Sequence, residues 1–211
     1  MTRLHVLLEG ASDEPAVREI LTRRFGLTEG EDFHLYPHQG KGALPEPVLA
    51  TPLPQHRGLL HQLPAKLRAW HYFGDDQCVV VLVDADNDDC SALLASLNEM
   101  LAQLPRRAPK VLFRIAIEET ESWFIADPAA VASAYPRAKV ARLQKIAPDA
   151  VVGAWERLAE ALGVHLRDGT PSSKTQWATQ IAPHLNLNQP RSPSLAKFIT
   201  GIERYLGMGV A

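Results

Sequence analysis

Residues 79–90 read VVVLVDADNDDC, and this stretch decides the fold that we expect. Five apolar residues run directly into Asp84 and Asp86. A short continuous apolar run is typical of a strand buried on both faces of a parallel sheet. Acidic residues that end such a strand lie at the carboxyl edge of the sheet, where open α/β folds place their sites. We therefore predict an α/β protein with a functional site at this edge.

The rest of the chain alternates between predicted strands and predicted helices. Apolar segments predict strands at 4–8, 33–36 and 111–117, and helical spacing predicts helices over 14–25, 59–70, 91–104, 150–162 and 194–206. This order indicates a mostly parallel central sheet of about four strands, covered by helices on both faces. We expect residues 1–148 to form the α/β domain. Residues 149–211 would form a helical C-terminal extension packed on it, with a polar loop over 167–174.

Length, charge and cysteine content narrow the class of protein. The chain has 211 residues and a formal net charge of −2, so no global basic surface for nucleic acid is present. Cys78 and Cys90 do not make a disulfide framework or a zinc site. No apolar run approaches the roughly 20 residues of a membrane span. The residues after Arg3 lack the pattern of a signal peptide, so we expect a cytoplasmic protein without a membrane partner.

Acidic residues follow three of the predicted strands. Glu9 ends the first, Asp84 and Asp86 end the central strand, and Glu119 and Glu121 follow the strand at 111–117. In a parallel sheet these carboxylates meet at one edge and repel one another, and a divalent cation relieves that repulsion. Two such ions about 4 Å apart would clamp the attacking and leaving oxygens of a phosphodiester. The pattern predicts a Mg²⁺ or Mn²⁺ site for phosphoryl chemistry.

Several candidates have a second interpretation. Asp13 either ligates the metal or caps the helix that begins at Glu14, and Glu121 either ligates or complements a helix dipole. Asp88 is either a solvated loop acid or a ligand of a second metal. Lys41, between two glycines, would bind phosphate or lie in a plain turn, because the segment lacks the P-loop spacing. Lys174 would stabilise developing phosphoryl charge or be a solvated lysine.

Basic residues cluster in two places. They either follow a phosphate backbone or form solvated faces. The clusters are Arg106, Arg107, Lys110 and Arg114, and Arg137, Lys139, Arg142 and Lys145.

Three motifs together resemble the DUF4276 family, a branch of TOPRIM-like proteins. They are LLEGASDE at 7–14, VVVLVDADNDDC at 79–90 and IEETESWFIAD at 117–127. HQGKG at 38–42, KTQWA at 174–178 and SPS at 192–194 are also similar to that family. The D-x-D element alone is unspecific, but the ordered set over nearly the whole chain is specific.

The resemblance implies a compact TOPRIM-like α/β unit in which Glu9, Asp84 and Asp86 bind Mg²⁺ or Mn²⁺, with the glutamate as general acid or base. Similarity to nucleases of the overcoming-lysogenization-defect (OLD) class adds Glu119, Glu121 and Lys174 as candidates. Relatives act in anti-phage defence, sometimes beside an ABC-type ATPase. This chain has no Walker A motif, so such an ATPase would be a separate partner.

Our leading functional prediction is a metal-dependent nuclease acting on DNA or RNA. Its catalytic residues would be Glu9, Asp84, Asp86 and Lys174. Its metal ligands would be Glu9, Asp13, Asp84, Asp86, Asp88, Glu119 and Glu121, and Lys41 would bind phosphate. One alternative is a metal-binding subunit that is active only with a separate ATPase. Another is a receiver-like protein phosphorylated on Asp84.

Overall fold

The computed structural model describes residues 2–150, 153–165 and 171–208. The strands are β1 (Arg3–Leu8), β2 (Phe33–Pro37), β3 (Gln77–Asp84) and β4 (Val111–Ala116). The helices are α1 (Glu14–Phe25), α2 (Leu59–Ala69), α3 (Cys90–Gln103), α4 (Glu121–Ile125), α5 (Pro128–Ala134), α6 (Ala154–Leu162), α7 (Pro171–Ile181) and α8 (Pro193–Leu206). Short 3₁₀ turns lie at Leu143–Lys145 and Ala182–His184.

The strands form one parallel sheet in the order β2-β1-β3-β4. The register pairs Leu7 of β1 with Val81 of β3, and Asp84 at the end of β3 with Ala116 of β4. Because all four strands point the same way, their carboxyl ends lie along one edge. The predicted α/β fold, with a four-stranded parallel sheet flanked by helices and a C-terminal helix, is confirmed.

Two apolar cores cover the two faces of the sheet. Alternate residues of β3 face opposite sides, so Val80 belongs to one core and Val81 to the other. The first core includes α1 and the C-terminal helices, and the second contains α2 and α3. A strand buried on both sides must be apolar throughout, which explains the run at 79–83.

The C-terminal helices pack into the first core. Trp177 of α7 and Phe198 of α8 are buried there, and the Phe198 ring packs against Trp123 of α4. The Trp123 indole donates from Nε1 to Ser194 Oγ at 2.9 Å, and both side chains are buried. This contact fixes α8 to the segment that follows β4. The division of the chain at residue 148 stays a prediction.

We expect Ser194→Ala to lower the free energy of unfolding by about 1–3 kcal/mol, because it leaves the buried Trp123 indole N–H without an acceptor. Urea unfolding at neutral pH measures the change. Thr200→Ala is the matched control on the same helix. The Thr200 side chain is exposed, and its hydroxyl donates to the helix backbone, so the loss of unfolding free energy should be within about 0.5 kcal/mol. Equal costs for the two variants would contradict the expectation.

Three local expectations were wrong. Helix α5 was missed, because its small residues, PAAVASA, carry little apolar periodicity. The helix predicted from residue 150 begins at Ala154, where Gly153 adopts a left-handed conformation. Lys174 lies in helix α7 instead of a polar loop. Residues 167–170 of that loop lie outside the described residues.

Within the described residues, no helix has both the length and the apolar composition needed to cross a membrane.

Candidate functional site

Glu9 and Asp84 are joined directly at the carboxyl edge of the sheet. Glu9 follows β1, and its Oε1 accepts a hydrogen bond from the backbone N–H of Asp84 at 2.9 Å. Burial raises the pKa of Glu9 to about 7, although the Asp84 N–H and Lys41 favour the charged form. The first two predicted site residues therefore meet, and Glu9 can exchange a proton near neutral pH.

Asp84 ends β3 among other acids. Burial raises the pKa of Asp84 well above its usual range, and the negative charges of Asp13, Glu9 and Glu121 raise it further. Within the described part of the chain, its carboxylate accepts no hydrogen bond and forms no ion pair. A carboxylate held in such surroundings is costly unless it is protonated or meets a cation.

Asp13 faces this cluster and does not cap α1. Its Oδ2 accepts from the Gly10 N–H at 3.1 Å, and its Oδ1 accepts from Thr120 Oγ1 at 2.9 Å. Its backbone is in the helical region, φ −81° and ψ −24°, whereas a capping residue is usually extended, and it makes no side-chain cap bond. Burial raises the pKa of Asp13. The helix-cap interpretation of Asp13 is therefore wrong.

Lys41 closes one side of the site. Its Nζ lies 2.7 Å from Asp88 Oδ2 and 3.2 Å from Asp86 Oδ2, and it donates to the Ala85 carbonyl at 3.0 Å. The aspartate side chains remain half exposed, 50% for Asp86 and 56% for Asp88. Burial alone would lower the pKa of Lys41, but Asp88 and Asp86 raise it overall. Lys41 therefore carries a positive charge beside the two aspartates.

Lys174 closes the other side. It reaches from α7 to Glu119 Oε1 at 2.6 Å and to Glu121 Oε2 at 3.7 Å. Burial raises the pKa of Glu121 to about 7 even though Lys174 favours its charged form. Burial would lower the pKa of Lys174, but Glu121 and Glu119 raise it overall. Glu119 and Glu121, which follow β4, are thus paired at the site with Lys174, a residue distant in sequence.

The loops after β3 and β4 hold each other in an uncommon backbone conformation. Asp86 has φ 49° and Glu118 has φ 62°, and the Asp86 N–H donates to the Glu118 carbonyl at 2.9 Å. The Glu118 carboxylate accepts from the N–H groups of Gly153 and Ala154 at the start of α6. Left-handed non-glycine residues cost energy and cluster at functional sites. Glu118 has a structural role, since it anchors α6 beside the acids.

Two residues of the site lie in no motif or residue spacing that would have predicted their role. The Thr120 hydroxyl orients Asp13, and Trp155 of α6 lies 5.7 Å from Lys174 Nζ, measured to the ring centroid. Trp155 also lines an open cleft of about 220 Å³ together with Asp86 and Glu119. Both contacts join segments far apart in the chain, so residue spacing does not predict them.

The donor set fits a hard divalent cation. Carboxylate oxygens are the ligands that Mg²⁺ and Mn²⁺ prefer, and the Asp84 carboxylate lacks a cation of its own among the described residues. In the arrangement described, no three acidic, histidine or cysteine side chains of residues 2–150, 153–165 and 171–208 already converge as ligands. A metal would therefore draw Glu9, Asp84 and Asp86 together.

We expect Lys174→Ala to destabilise the metal-free protein by about 1–3 kcal/mol at pH about 7.5, because it leaves Glu119 and Glu121 without a countercharge. The loss should shrink at pH about 5, where Glu121 is protonated. Urea unfolding at both pH values measures it. Lys139→Ala, at an exposed position, is the control. A loss that is the same at both pH values would contradict the expectation.

The fold and site define an α/β protein with a parallel sheet whose carboxyl edge carries clustered carboxylates between two lysines. Residues 8–203 match the family described as a domain of unknown function, DUF4276. The chain belongs to that family. Comparisons with curated proteins and with solved structures give no match.

Proposed function

We propose that the protein is a divalent-metal-dependent nuclease that hydrolyses phosphodiester bonds in DNA or RNA, with a TOPRIM-like relationship to OLD-class nucleases. The observation that carries the proposal is the carboxylate of Asp84, which lies among Asp13, Glu9 and Glu121 without an ion pair or hydrogen bond among the described residues. A site built in this way gains most from a bound cation. The family resemblance supports a role in anti-phage defence.

Glu9, Asp84 and Asp86 would hold Mg²⁺ or Mn²⁺, and Asp13, Asp88, Glu119 and Glu121 would complete that site or a second one. When bound, such an ion stabilises charge that develops on phosphoryl oxygens and lowers the pKa of water.

The chain's own residues supply the rest of the chemistry. In the metal-free protein the pKa of Glu9 is about 7. A bound cation would hold this carboxylate in its charged form, in which it can accept a proton from an attacking water. The ammonium groups of Lys174 and Lys41 border the site and can stabilise negative charge on a substrate phosphate. Each lysine must then exchange part of its present carboxylate pairing for the phosphate.

A second candidate is a metal-binding subunit that acts only with a separate ABC-type ATPase. The observation that favours it is the pairing of Lys41 and Lys174 with four of the acids, which leaves no three ligating groups converged among the described residues. A partner that moves α7 would release Glu119 and Glu121 from Lys174.

Cleavage of plasmid DNA and of a structured RNA tests the proposal. The assays contain Mg²⁺, Mn²⁺ or EDTA, with wild type, Glu9→Ala, Asp84→Ala and the control Asp75→Ala, which removes an exposed acid far from the site. The proposal expects metal-dependent cleavage by wild type and Asp75→Ala alone. Full activity in Asp84→Ala would overturn it. No cleavage by wild type, with metal binding intact, would favour the partner-activated subunit.

A further inference from the structure

A row of three cations lies along the outer edge of β4. Lys197 and Arg204 are exposed on α8 and seven residues apart, which places them on one helix face about 10 Å apart along the axis. Gly201 lies between them. A Cβ at Gly201 would overlap Arg114 Nη2, so the guanidinium of Arg114 occupies the space that a side chain would fill.

Two hydrogen bonds fix the middle cation. Arg114 Nε donates to the Lys197 carbonyl at 2.7 Å, and Nη1 donates to the Phe113 carbonyl at 2.8 Å. Both acceptors are neutral, so they orient the guanidinium without cancelling its charge. Tyr205 adds a third contact, from its hydroxyl to the Val111 carbonyl at 3.2 Å. The contacts of Arg114 and Tyr205 thus occupy the Phe113 and Val111 carbonyls of the edge strand β4, and Arg114 Nη2 lies against Gly201.

The row lacks a counterion. None of Arg114, Lys197 and Arg204 forms an ion pair with an acid among the described residues. Arg114 and Arg204 line a cleft of about 400 Å³ together with Leu112, Gly201 and Tyr205, and no acid lines it. Burial lowers the pKa of Arg114, and the nearby positive charge of Arg204 lowers it further. Two guanidinium groups that are held close together and have no counterion favour the binding of an anion.

The row leads away from the candidate metal site. Arg114 pairs in register with Leu82, two residues before Asp84 on the neighbouring strand. Helix α8 begins beside Trp123, where Ser194 meets the indole, and its last turn reaches Val111 at the start of β4. Lys197 is therefore nearest the acidic edge, Arg114 follows, and Arg204 lies farthest from it.

We propose that this row is a binding track for the phosphate backbone of nucleic acid, in which successive phosphates contact Lys197, Arg114 and Arg204. The inference rests on the proposed function, because the track would bind the part of the nucleic-acid substrate that flanks the bond to be cleaved. Leu112 and Tyr205 give the cleft an apolar wall for a sugar or base. The overall charge of −2 does not oppose this, because only local charge governs contacts within a Debye length.

Binding in EDTA tests the track without cleavage. The ligands are a short fluorescent single-stranded DNA, the same sequence as RNA, and the matched DNA duplex, measured by anisotropy over a range of salt. The double variant Lys197→Ala/Arg204→Ala removes two exposed cations and keeps Arg114. The double variant Arg3→Ala/Arg57→Ala removes two exposed arginines that lie outside the track and outside both basic clusters of the sequence.

We expect the track variant to bind more weakly than wild type and to lower the slope of log K against log salt by roughly two. The control variant should match wild type. The track would be overturned if wild type did not bind the oligonucleotides, or if the track variant bound them as tightly as wild type. It would also be overturned if both variants lost the same affinity, or if wild type bound a labelled polyglutamate equally tightly. Binding without cleavage would overturn only the proposed function, and cleavage without a track effect would overturn only this inference.

Discussion

Asp84→Asn should raise the free energy of unfolding of the metal-free protein at pH about 7.5 by about 1–3 kcal/mol while reducing metal-dependent cleavage at least a hundredfold. The asparagine keeps the size of the side chain and removes a charge that four nearby acids oppose. The same change removes a ligand that the proposed metal site needs. Stability and activity therefore move in opposite directions, as expected where strain is retained for function.

Asp149→Asn is the matched control for this change. The Asp149 carboxylate accepts from the Ser192 hydroxyl at 2.7 Å and from the Ser194 N–H at 2.6 Å. Asparagine there weakens both contacts, so the free energy of unfolding should fall. Urea unfolding in EDTA and cleavage in Mn²⁺ measure both variants. A loss of stability in Asp84→Asn comparable to that in Asp149→Asn would contradict the account of Asp84.

The metal-free protein should become less stable as pH rises from about 4.5 to about 7. Glu9 and Glu121 have pKa values of about 7 in the folded protein, against an ordinary value of 4.5. The folded state binds more protons than the unfolded state in this window, so stability falls as pH rises. For the buried Glu121 the loss is on the order of 3 kcal/mol, and for the partly exposed Glu9 it is smaller.

Unfolding in urea at several pH values in EDTA measures this dependence. Glu121→Gln should flatten the curve, because the amide does not titrate. Saturating Mn²⁺ should also flatten it, because a bound cation favours the charged carboxylates at every pH. Asp75→Asn, which changes an exposed acid before β3 and far from the site, is the control and should leave the slope unchanged. A stability that increases with pH over this range would contradict the raised pKa values.

The sequence predicted the sheet well because the strands are governed by one local requirement. Each central strand is buried on both faces, so it must be apolar along its length and can become acidic only where it leaves the sheet. The run at 79–83 meets this requirement throughout, and both it and the segment at 4–8 are strands. The segment at 4–8 meets it except at His5, which is buried and hydrogen-bonded to Tyr36 and Gln77. The predicted meeting of Glu9 and Asp84 follows from the parallel arrangement.

The lysine contacts could not be predicted in the same way. Lys174 reaches Glu119 from a helix that begins more than fifty residues later, and Lys41 reaches Asp88 across the sheet edge. Such pairings depend on how the helices pack against the sheet, and the spacing of residues in the sequence does not predict that packing. The serine- and threonine-rich segment around Lys174 has weak helix propensity, so its packing against the first core decides its conformation.

Asp13 illustrates a choice between two local interpretations. An aspartate before a helix usually caps it, and the sequence Asp13-Glu14-Pro15 is compatible with that role. The structure instead directs the carboxylate to Thr120, a residue that lies beyond β4. Only the position of β4 beside β3 brings these two segments together.

Calorimetric titration of Mn²⁺ into the protein at pH about 6.5 tests the central claim most directly, with Asp84→Asn and Asp75→Ala as paired variants. The account predicts saturable binding to wild type and Asp75→Ala, and none to Asp84→Asn. It also predicts that binding releases protons from Glu9 and its neighbours, so the measured heat varies with the ionisation enthalpy of the buffer. Equal binding by wild type and Asp84→Asn, or no binding by wild type, would contradict a metal site at the carboxyl edge.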